Sequence, residues 1–186
     1  MGSPEVIGRD RELALIRAFL ADIEQGPSSL VLSGEPGIGK TALWEVGVKE
    51  AERIGHVLAC RTAEAEASLS FTGLSDLLAP VFDEAASALA PPRRRALEVA
   101  LLLAEPGEPP DPRAIGLALL DVLRTVAANC PVVVALDDVQ WLDPSSAAVL
   151  QIALRRLQDE QIGVLATLRN APETPSVMGA RACLPE

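Results

Sequence analysis

Short continuous apolar runs alternate along this chain with longer stretches in which apolar residues recur at every third or fourth position. A continuous run indicates a strand that is covered on both faces, and the recurring spacing indicates a helix. Strands are predicted at residues 29–33, 56–61, 132–136 and 162–168, with a weaker fifth strand at residues 181–184. Because strands alternate with helices, the pattern predicts a doubly wound α/β domain whose parallel sheet is sandwiched by helices.

The helical stretches fall between these strands. The first has its apolar positions between residues 13 and 23 on one face, and we expect Asp10 to cap it. Asp143 is predicted to cap the last helix, with Pro144 at the first helical position. The predicted helices after the first are at residues 41–53, 71–90, 93–103, 112–128 and 144–158.

Several of these helices lie together between the second and third strands, at residues 71–128. A loop rich in Pro, Gly and acidic residues interrupts them at residues 105–112. We interpret the region as a helical insert and not as a domain boundary. At 186 residues, a single domain over residues 1–186 is therefore expected.

Composition restricts the partners of the chain. Its formal net charge is −10, whereas binding to a phosphodiester backbone needs clustered Lys and Arg, so we expect no direct nucleic-acid binding by this chain. The apolar runs are too short to span a bilayer, and the N-terminus lacks the basic and apolar regions of a secretory signal. No membrane contact is expected.

The cysteine and histidine content argues against a structural metal site. Cys60, Cys130 and Cys183 are far apart and form no Cys-x-x-Cys pair, and His56 is the only histidine. A disulfide framework or a zinc cluster is therefore not predicted. A reducing compartment fits this cysteine usage, so the predicted location is the cytoplasm.

Directly after the first predicted strand comes Gly-Glu-Pro-Gly-Ile-Gly-Lys-Thr, a complete G-x-x-x-x-G-K-[ST] phosphate-binding loop. The strand before it and the helix after it are the context that this motif requires. Its glycines leave room for backbone N–H groups around phosphate oxygens and permit positive φ at Gly34, Gly37 and Gly39. Lys40 is predicted to contact the β- and γ-phosphates, and Thr41 to bind Mg²⁺. The predicted nucleotide-binding residues are Gly34, Glu35, Pro36, Gly37, Ile38, Gly39, Lys40, Thr41 and Ala42.

Acidic and basic residues end the next two apolar strands. Asp137, at the end of the strand at residues 132–136, is predicted to hold Mg²⁺, and Asp138 to orient or deprotonate an attacking water. Arg169 ends the strand at residues 162–168 and is predicted to reach the γ-phosphate. Lys40, Asp138 and Arg169 are thus the predicted catalytic residues. Trp141 is interpreted as a packing anchor.

Four stretches of the chain resemble the ATPase domain of the large ATP-binding regulators of the LuxR type, which belong to the STAND class of signal-transducing ATPases and are related to AAA+ proteins. The string Asp-Asp-x-x-Trp-x-Asp is the feature that narrows the choice to this family. The four stretches are Val-Ile-Gly-Arg at residues 6–9, the phosphate loop, Leu-Asp-Asp-Val-Gln-Trp-Leu-Asp at residues 136–143, and Ala-Thr-Leu-Arg at residues 166–169.

The resemblance implies a P-loop NTPase with the strand order 5-1-4-3-2, binding ATP or ADP with Mg²⁺ and hydrolysing ATP slowly. It implies that Ile7, Gly8 and Arg9 lie near the adenine. It also implies a switch domain of a transcriptional regulator that self-associates when it binds ATP. Family members continue into a lid and a DNA-binding module that these 186 residues do not include, so a truncated chain is expected.

Two other functions stay open at this point. The first is an interaction module that holds nucleotide without hydrolysing it. The second is a P-loop kinase, which shares the phosphate loop, although no residue marks a phosphoryl acceptor site. The chain contains no Asn-Lys-x-Asp string of the kind that reads guanine, which favours ATP over GTP.

Overall fold

The fold is built on a parallel sheet, described by a computed structural model that covers residues 8–105 and 109–169 and the backbone of residues 180–183. The sheet order is β2-β3-β4-β1-β5, which confirms the order expected from the resemblance. All four strand pairs are parallel. The strands are β1 (Ser28–Gly34), β2 (His56–Arg61), β3 (Val132–Asp137), β4 (Ile162–Arg169) and β5 (Ala180–Cys183).

Helices cover both faces of this sheet. α1 precedes β1, α2 joins β1 to β2, and α7 joins β3 to β4. The helices α3 to α6 lie between β2 and β3, in the region predicted to be a helical insert. Their bounds are α1 (Asp10–Asp22), α2 (Lys40–Ala51), α3 (Thr72–Leu78), α4 (Phe82–Ala86), α5 (Pro91–Ala100), α6 (Pro112–Ala127) and α7 (Pro144–Leu154).

The helix predicted at residues 71–90 is two helices, α3 and α4, and several predicted helix ends differ from the structure. Asp10 does not cap α1, because Arg9 occupies the cap position and Asp10 is the first helical residue. Pro91-Pro92 forms the start of α5, whereas the helix was predicted to begin after it. Proline is tolerated there because the first N–H groups of a helix have no hydrogen-bond partner within the helix. α7 ends at Leu154, four residues earlier than predicted.

The strands of the sheet are apolar throughout because the core lies on both sides of them. In β3, Val132 and Val134 face a cluster formed with α3 to α7, whereas Val133 and Ala135 face a cluster formed with α1 and α2. Alternate residues of one strand therefore belong to different halves of the core. No helix in the described ranges is long and apolar enough to cross a membrane.

The sheet brings three chain segments to one edge. β1 lies between β4 and β5, and Gly34 at its end is in register with Arg169 at the end of β4. β3 is the other neighbour of β4, and it ends at Asp137. Since parallel strands end on the same side, the loops after β1, β3 and β4 meet where ligands bind in doubly wound sheets.

Candidate nucleotide-binding site

The phosphate loop occupies residues 35–39, between β1 and α2. Gly37 and Gly39 have φ values of 81° and 95°, which glycine adopts without the steric cost that a side chain would add. Gly34 does not use the positive φ that glycine permits, because it is the last residue of the extended strand β1. Most of the loop is exposed.

Lys40 begins α2 and folds its side chain back into the loop. Its Nζ donates to the carbonyl oxygen of Gly34 at 3.0 Å and to that of Glu35 at 2.7 Å. Burial lowers the pKa of the Lys40 amine, the carboxylate of Asp138 opposes this shift, Arg169 adds to it and Asp137 opposes it. The charges at the ends of both β3 and β4 therefore act on the amine.

Asp137 and Thr41 supply the oxygen ligands that Mg²⁺ prefers. Thr41 Oγ1 lies 3.3 Å from Asp137 Oδ1 and donates to it, and Asp137 is 6% exposed. Hard carboxylate and hydroxyl oxygens suit Mg²⁺, which takes one or two protein ligands and completes its shell with phosphate and water oxygens. In the described residues, no group of three or more His, Cys, Asp or Glu side chains is placed to hold a metal alone. The residues present fit Mg²⁺ bound together with a triphosphate.

Thr167 is a site residue that the sequence interpretation missed. It is fully buried in β4, where its Oγ1 donates to Asp137 Oδ1 at 2.6 Å and accepts from the Asp138 N–H at 2.7 Å. One hydroxyl thus fixes the carboxylate of the first acid and the backbone of the second. A polar residue inside an apolar strand was the available signal, since a buried hydroxyl needs a partner.

Asp138 has an unusual backbone conformation. Its φ and ψ are 55° and 50°, in the left-handed region that is uncommon for residues other than glycine. Its carbonyl oxygen lies 2.6 Å from Thr62 Oγ1, beyond the end of β2. Backbone conformations of this kind persist where the surroundings enforce them and they concentrate at functional sites.

The Asp138 carboxylate has two side-chain partners. Gln140 Nε2 donates to its Oδ1 at 3.0 Å, and Arg169 Nη2 lies 3.4 Å from its Oδ2. Gln140 Oε1 also accepts from the backbone N–H of Arg169 at 3.2 Å. Gln140 was assigned no role from the sequence, although it lies inside the recognised acid-rich segment.

The Trp141 ring lies under the guanidinium of Arg169, whose Cζ is 5.9 Å from the ring centroid. Its neighbours Val139 and Leu142 pack against the core. Val139 and Leu142 therefore attach this loop to the core. Trp141, which was predicted to be the packing anchor, is half-buried beside the site.

The segment before α1 reaches the phosphate loop through Arg9. Its Nη2 donates to the carbonyl oxygen of Ile38 at 3.1 Å, and its Nη1 donates to Glu12 at 3.0 Å. Gly8 precedes it with a φ of 77°, and Ile7 lies outside the described residues. Ala42 is half-buried in α2, one residue after Thr41.

Asp143 caps α7, as predicted, and it also ties α3 to that helix. Its Oδ1 accepts from the N–H groups of Ser146 at 2.8 Å and Phe71 at 2.9 Å. Its Oδ2 accepts from the N–H of Gly73 at 3.1 Å. These bonds use both oxygens of a carboxylate that is only 3% exposed, so its role is structural.

The chain is similar in structure to known proteins. The crystal structure of Cdc6p from Pyrobaculum aerophilum matches 98% of this chain and 46% of its own, with 15% identity and a TM-score of 0.60. The structure of C. elegans PCH-2 matches 95% of this chain and 42% of its own, with 15% identity and a TM-score of 0.49. The chain therefore spans less than half the length of these structures, and the first likeness supports the fold.

No curated protein matches the chain significantly. The family model described as "AAA ATPase domain" matches residues 5–166, which is most of the chain. This range holds the phosphate loop, the Asp137–Asp138 pair and β4 as far as Ala166, one residue before Thr167. The fold, the site and the family match agree, and the chain belongs to the family of AAA ATPase domains, which bind and hydrolyse ATP.

Proposed function

We propose that this domain binds Mg²⁺–ATP at residues 34–41 and hydrolyses it slowly, as the switch of a signal-transducing regulator. The observation that carries the proposal is the meeting of Thr41 Oγ1 and Asp137 Oδ1 at 3.3 Å, beside the Lys40 amine. Two segments that are 96 residues apart in sequence thus present a hydroxyl and a carboxylate to one point. A cation bound there would face the phosphate loop directly.

In this proposal each side chain has a separate task. Lys40 exchanges its loop carbonyl partners for β- and γ-phosphate oxygens, while Thr41 and Asp137 hold Mg²⁺. When bound, Mg²⁺ neutralises the charge on the phosphate oxygens. Asp138 orients the attacking water and accepts its proton. Arg169 stabilises the charge that develops on the terminal phosphate.

The Lys40→Ala variant tests the binding step. We expect calorimetry to show loss of ATP binding, because the amine serves the ligand and a cation in this position neutralises phosphate charge. Lys49→Ala, in the last turn of the same helix, is the matched control and should bind ATP like the parent chain. Equal ATP affinity for Lys40→Ala and the parent would overturn the proposal. A parallel titration with GTP tests the preference for adenine.

The regulator context rests on the string Asp-Asp-x-x-Trp-x-Asp at residues 137–143, which resembles LuxR-type STAND ATPases. In that context ATP promotes self-association of the domain and ADP does not. Sedimentation velocity with Mg²⁺–ATP and with Mg²⁺–ADP measures this directly, with Lys40→Ala as the control that should give one value in both. Identical sedimentation of the parent chain with either nucleotide would contradict the switch.

A module that holds nucleotide without hydrolysing it is the second candidate. It is favoured by the contacts of Asp138, whose two carboxylate oxygens are each engaged by another side chain. A single-turnover measurement with labelled ATP separates the two functions. Release of phosphate in one turnover supports the ATPase, and stable bound ATP supports the module.

A further inference from the structure

The contact between Asp138 and Arg169 opposes the tasks proposed for both residues, because each directs its charge at the other and not at a nucleotide or a water. Arg169 Nη2 lies 3.4 Å from Asp138 Oδ2, and Gln140 Nε2 lies 3.0 Å from Asp138 Oδ1. A carboxylate that accepts a water's proton must offer that water a lone pair at hydrogen-bond distance and must be basic enough to take the proton. Each Asp138 oxygen already has one side-chain partner, and the positive charge of Arg169 beside Oδ2 weakens that oxygen as a base.

The two partners of Asp138 are held very differently. The side-chain amide of Gln140 has a second bond that holds it in place. Its Oε1 accepts from the backbone N–H of Arg169, the last residue of β4. The Arg169 side chain is 44% exposed, and its contact with Asp138 is the longer of the two. An exposed ion pair of this kind contributes little to stability and is easily exchanged for another anion.

We propose that Gln140 is a positioning residue that keeps the Asp138 carboxylate in place while the terminal phosphate of ATP draws Arg169 away from it. The movement frees Oδ2 to bind the attacking water and brings the guanidinium to the phosphate. ADP lacks the terminal phosphate and leaves the Arg169–Asp138 pair intact. The inference rests on the proposed ATPase function. It adds a role for Gln140, which occupies an unspecified position of the string Asp-Asp-x-x-Trp-x-Asp.

Two variants of Gln140 separate positioning from simple packing. Gln140→Glu keeps the shape of the side chain and an acceptor for the Arg169 N–H, but it loses the donor to Asp138 and adds repulsion. Gln140→Ala loses both bonds. We expect both variants to bind Mg²⁺–ATP within about twofold of the parent and to lose about tenfold to a hundredfold in single-turnover rate, the cost of a misplaced reacting group.

The isosteric variant decides between the explanations. If Gln140 only supports the end of β4, Gln140→Glu should retain the parental rate and Gln140→Ala alone should be slow. That result would overturn the proposed role of Gln140. Circular dichroism melting of both variants establishes that the fold is kept.

The exchange of Arg169 has a built-in reporter in Trp141, which lies under its guanidinium. The chain has two tryptophans, and the buried Trp44 Nε1 has no hydrogen-bond partner that Trp44→Phe would remove. In Trp44→Phe, the Trp141 emission should respond to a non-hydrolysable ATP analogue with Mg²⁺ and differ from the response to ADP. Adding Arg169→Met should abolish this difference between the nucleotides.

The outcomes distinguish the inference from the function beneath it. Absence of nucleotide binding in calorimetry would sink the proposed ATPase itself. Nucleotide binding with identical Trp141 emission for the analogue and ADP would leave the ATPase standing and refute the exchange. The same holds if the emission difference persists in the Arg169→Met variant. This arm uses no Gln140 variant, so it still decides the exchange if those variants do not fold.

Discussion

A single buried hydroxyl organises the acidic part of the site. Thr167 is bonded to the carboxylate of Asp137 and to the backbone N–H of Asp138 at 2.6 and 2.7 Å. The first bond orients the proposed metal ligand, and the second holds Asp138 where its φ is 55°. One residue of β4 thus holds the side chain of Asp137 and the backbone of Asp138.

The Asp138→Asn variant is the residue-scale prediction. Asparagine tolerates the left-handed conformation and keeps the size of the side chain, so the fold should persist. We expect the single-turnover rate to fall by about a hundredfold or more, since the amide cannot accept the water's proton. ATP affinity in calorimetry should stay near that of the parent.

Asp159→Asn is the control for charge, because Asp159 is exposed beyond the end of α7. It should leave both rate and affinity unchanged. A rate for Asp138→Asn equal to that of the parent chain would remove Asp138 from the mechanism and favour a site that only holds nucleotide.

At the scale of elements, Asp143 connects two helices that are distant in sequence. It accepts from Ser146 in α7 and from Phe71 and Gly73 at the start of α3, three N–H groups that helix termini leave unpaired. Leu74 N–H adds a bond to Ser146 Oγ at 2.9 Å. The helical region between β2 and β3 is therefore fastened beside the segment that carries Asp137 and Asp138.

Asp143 also makes the stability of the domain depend on pH. Burial raises the pKa of its carboxyl, but the hydrogen bonds from Ser146, Phe71 and Gly73 together outweigh this and lower the pKa below its usual 3.8. A carboxyl whose pKa is lower in the folded chain stabilises it above the unfolded pKa. That contribution is lost as the pH falls from about 3.8 through the folded value.

We therefore expect Asp143→Asn to lower the free energy of unfolding by about 1–3 kcal/mol at pH 7, the size of charged hydrogen bonds. The difference between the variant and the parent chain should shrink as the pH falls below 3.8, where protonation makes the parent's carboxyl neutral as well. Urea titrations of both chains at pH 7 and pH 3 measure it. A difference that grows on acidification would contradict the assigned bonds.

At the scale of the whole molecule, the two halves of the core share their strands. The cluster on one face includes Val132 and Val134, and the cluster on the other includes Val133. Loss of one half exposes apolar residues of the same strand to water and so removes support from the other half. We propose that residues 1–186 form one domain, with α3 to α6 as an insert.

Unfolding should accordingly be a single cooperative transition. We expect the calorimetric and van't Hoff enthalpies to agree, with an enthalpy of about 0.7 kcal/mol per residue near 60 °C. Trp44 emission reports on the cluster with α1 and α2, and far-ultraviolet circular dichroism reports on all helices. Two separated transitions by these signals would show that the insert is an independent unit.

The fold was predictable because its signals are local. Continuous apolar runs marked the strands, helical spacing marked the helices, and Gly37, Gly39 and Lys40 stand in a motif whose spacing is fixed by the geometry of a phosphate. Helix ends were less well predicted, as at Asp10, because the choice among neighbouring cap positions depends on contacts that the local pattern does not contain.

By itself, then, the sequence determined the parallel α/β architecture, the phosphate loop and the acid pair, since each is indicated by a pattern within a short continuous stretch of residues. Only the tertiary structure placed Thr167 between the two acids, Gln140 against Asp138 and Arg169 over Trp141. Thr167 and Arg169 belong to β4, whereas the acids and Trp141 belong to β3 and the loop after it, and the loop conformation turns Gln140 towards Asp138. The distances of these contacts follow from sheet register and loop conformation, which no single stretch of the chain specifies.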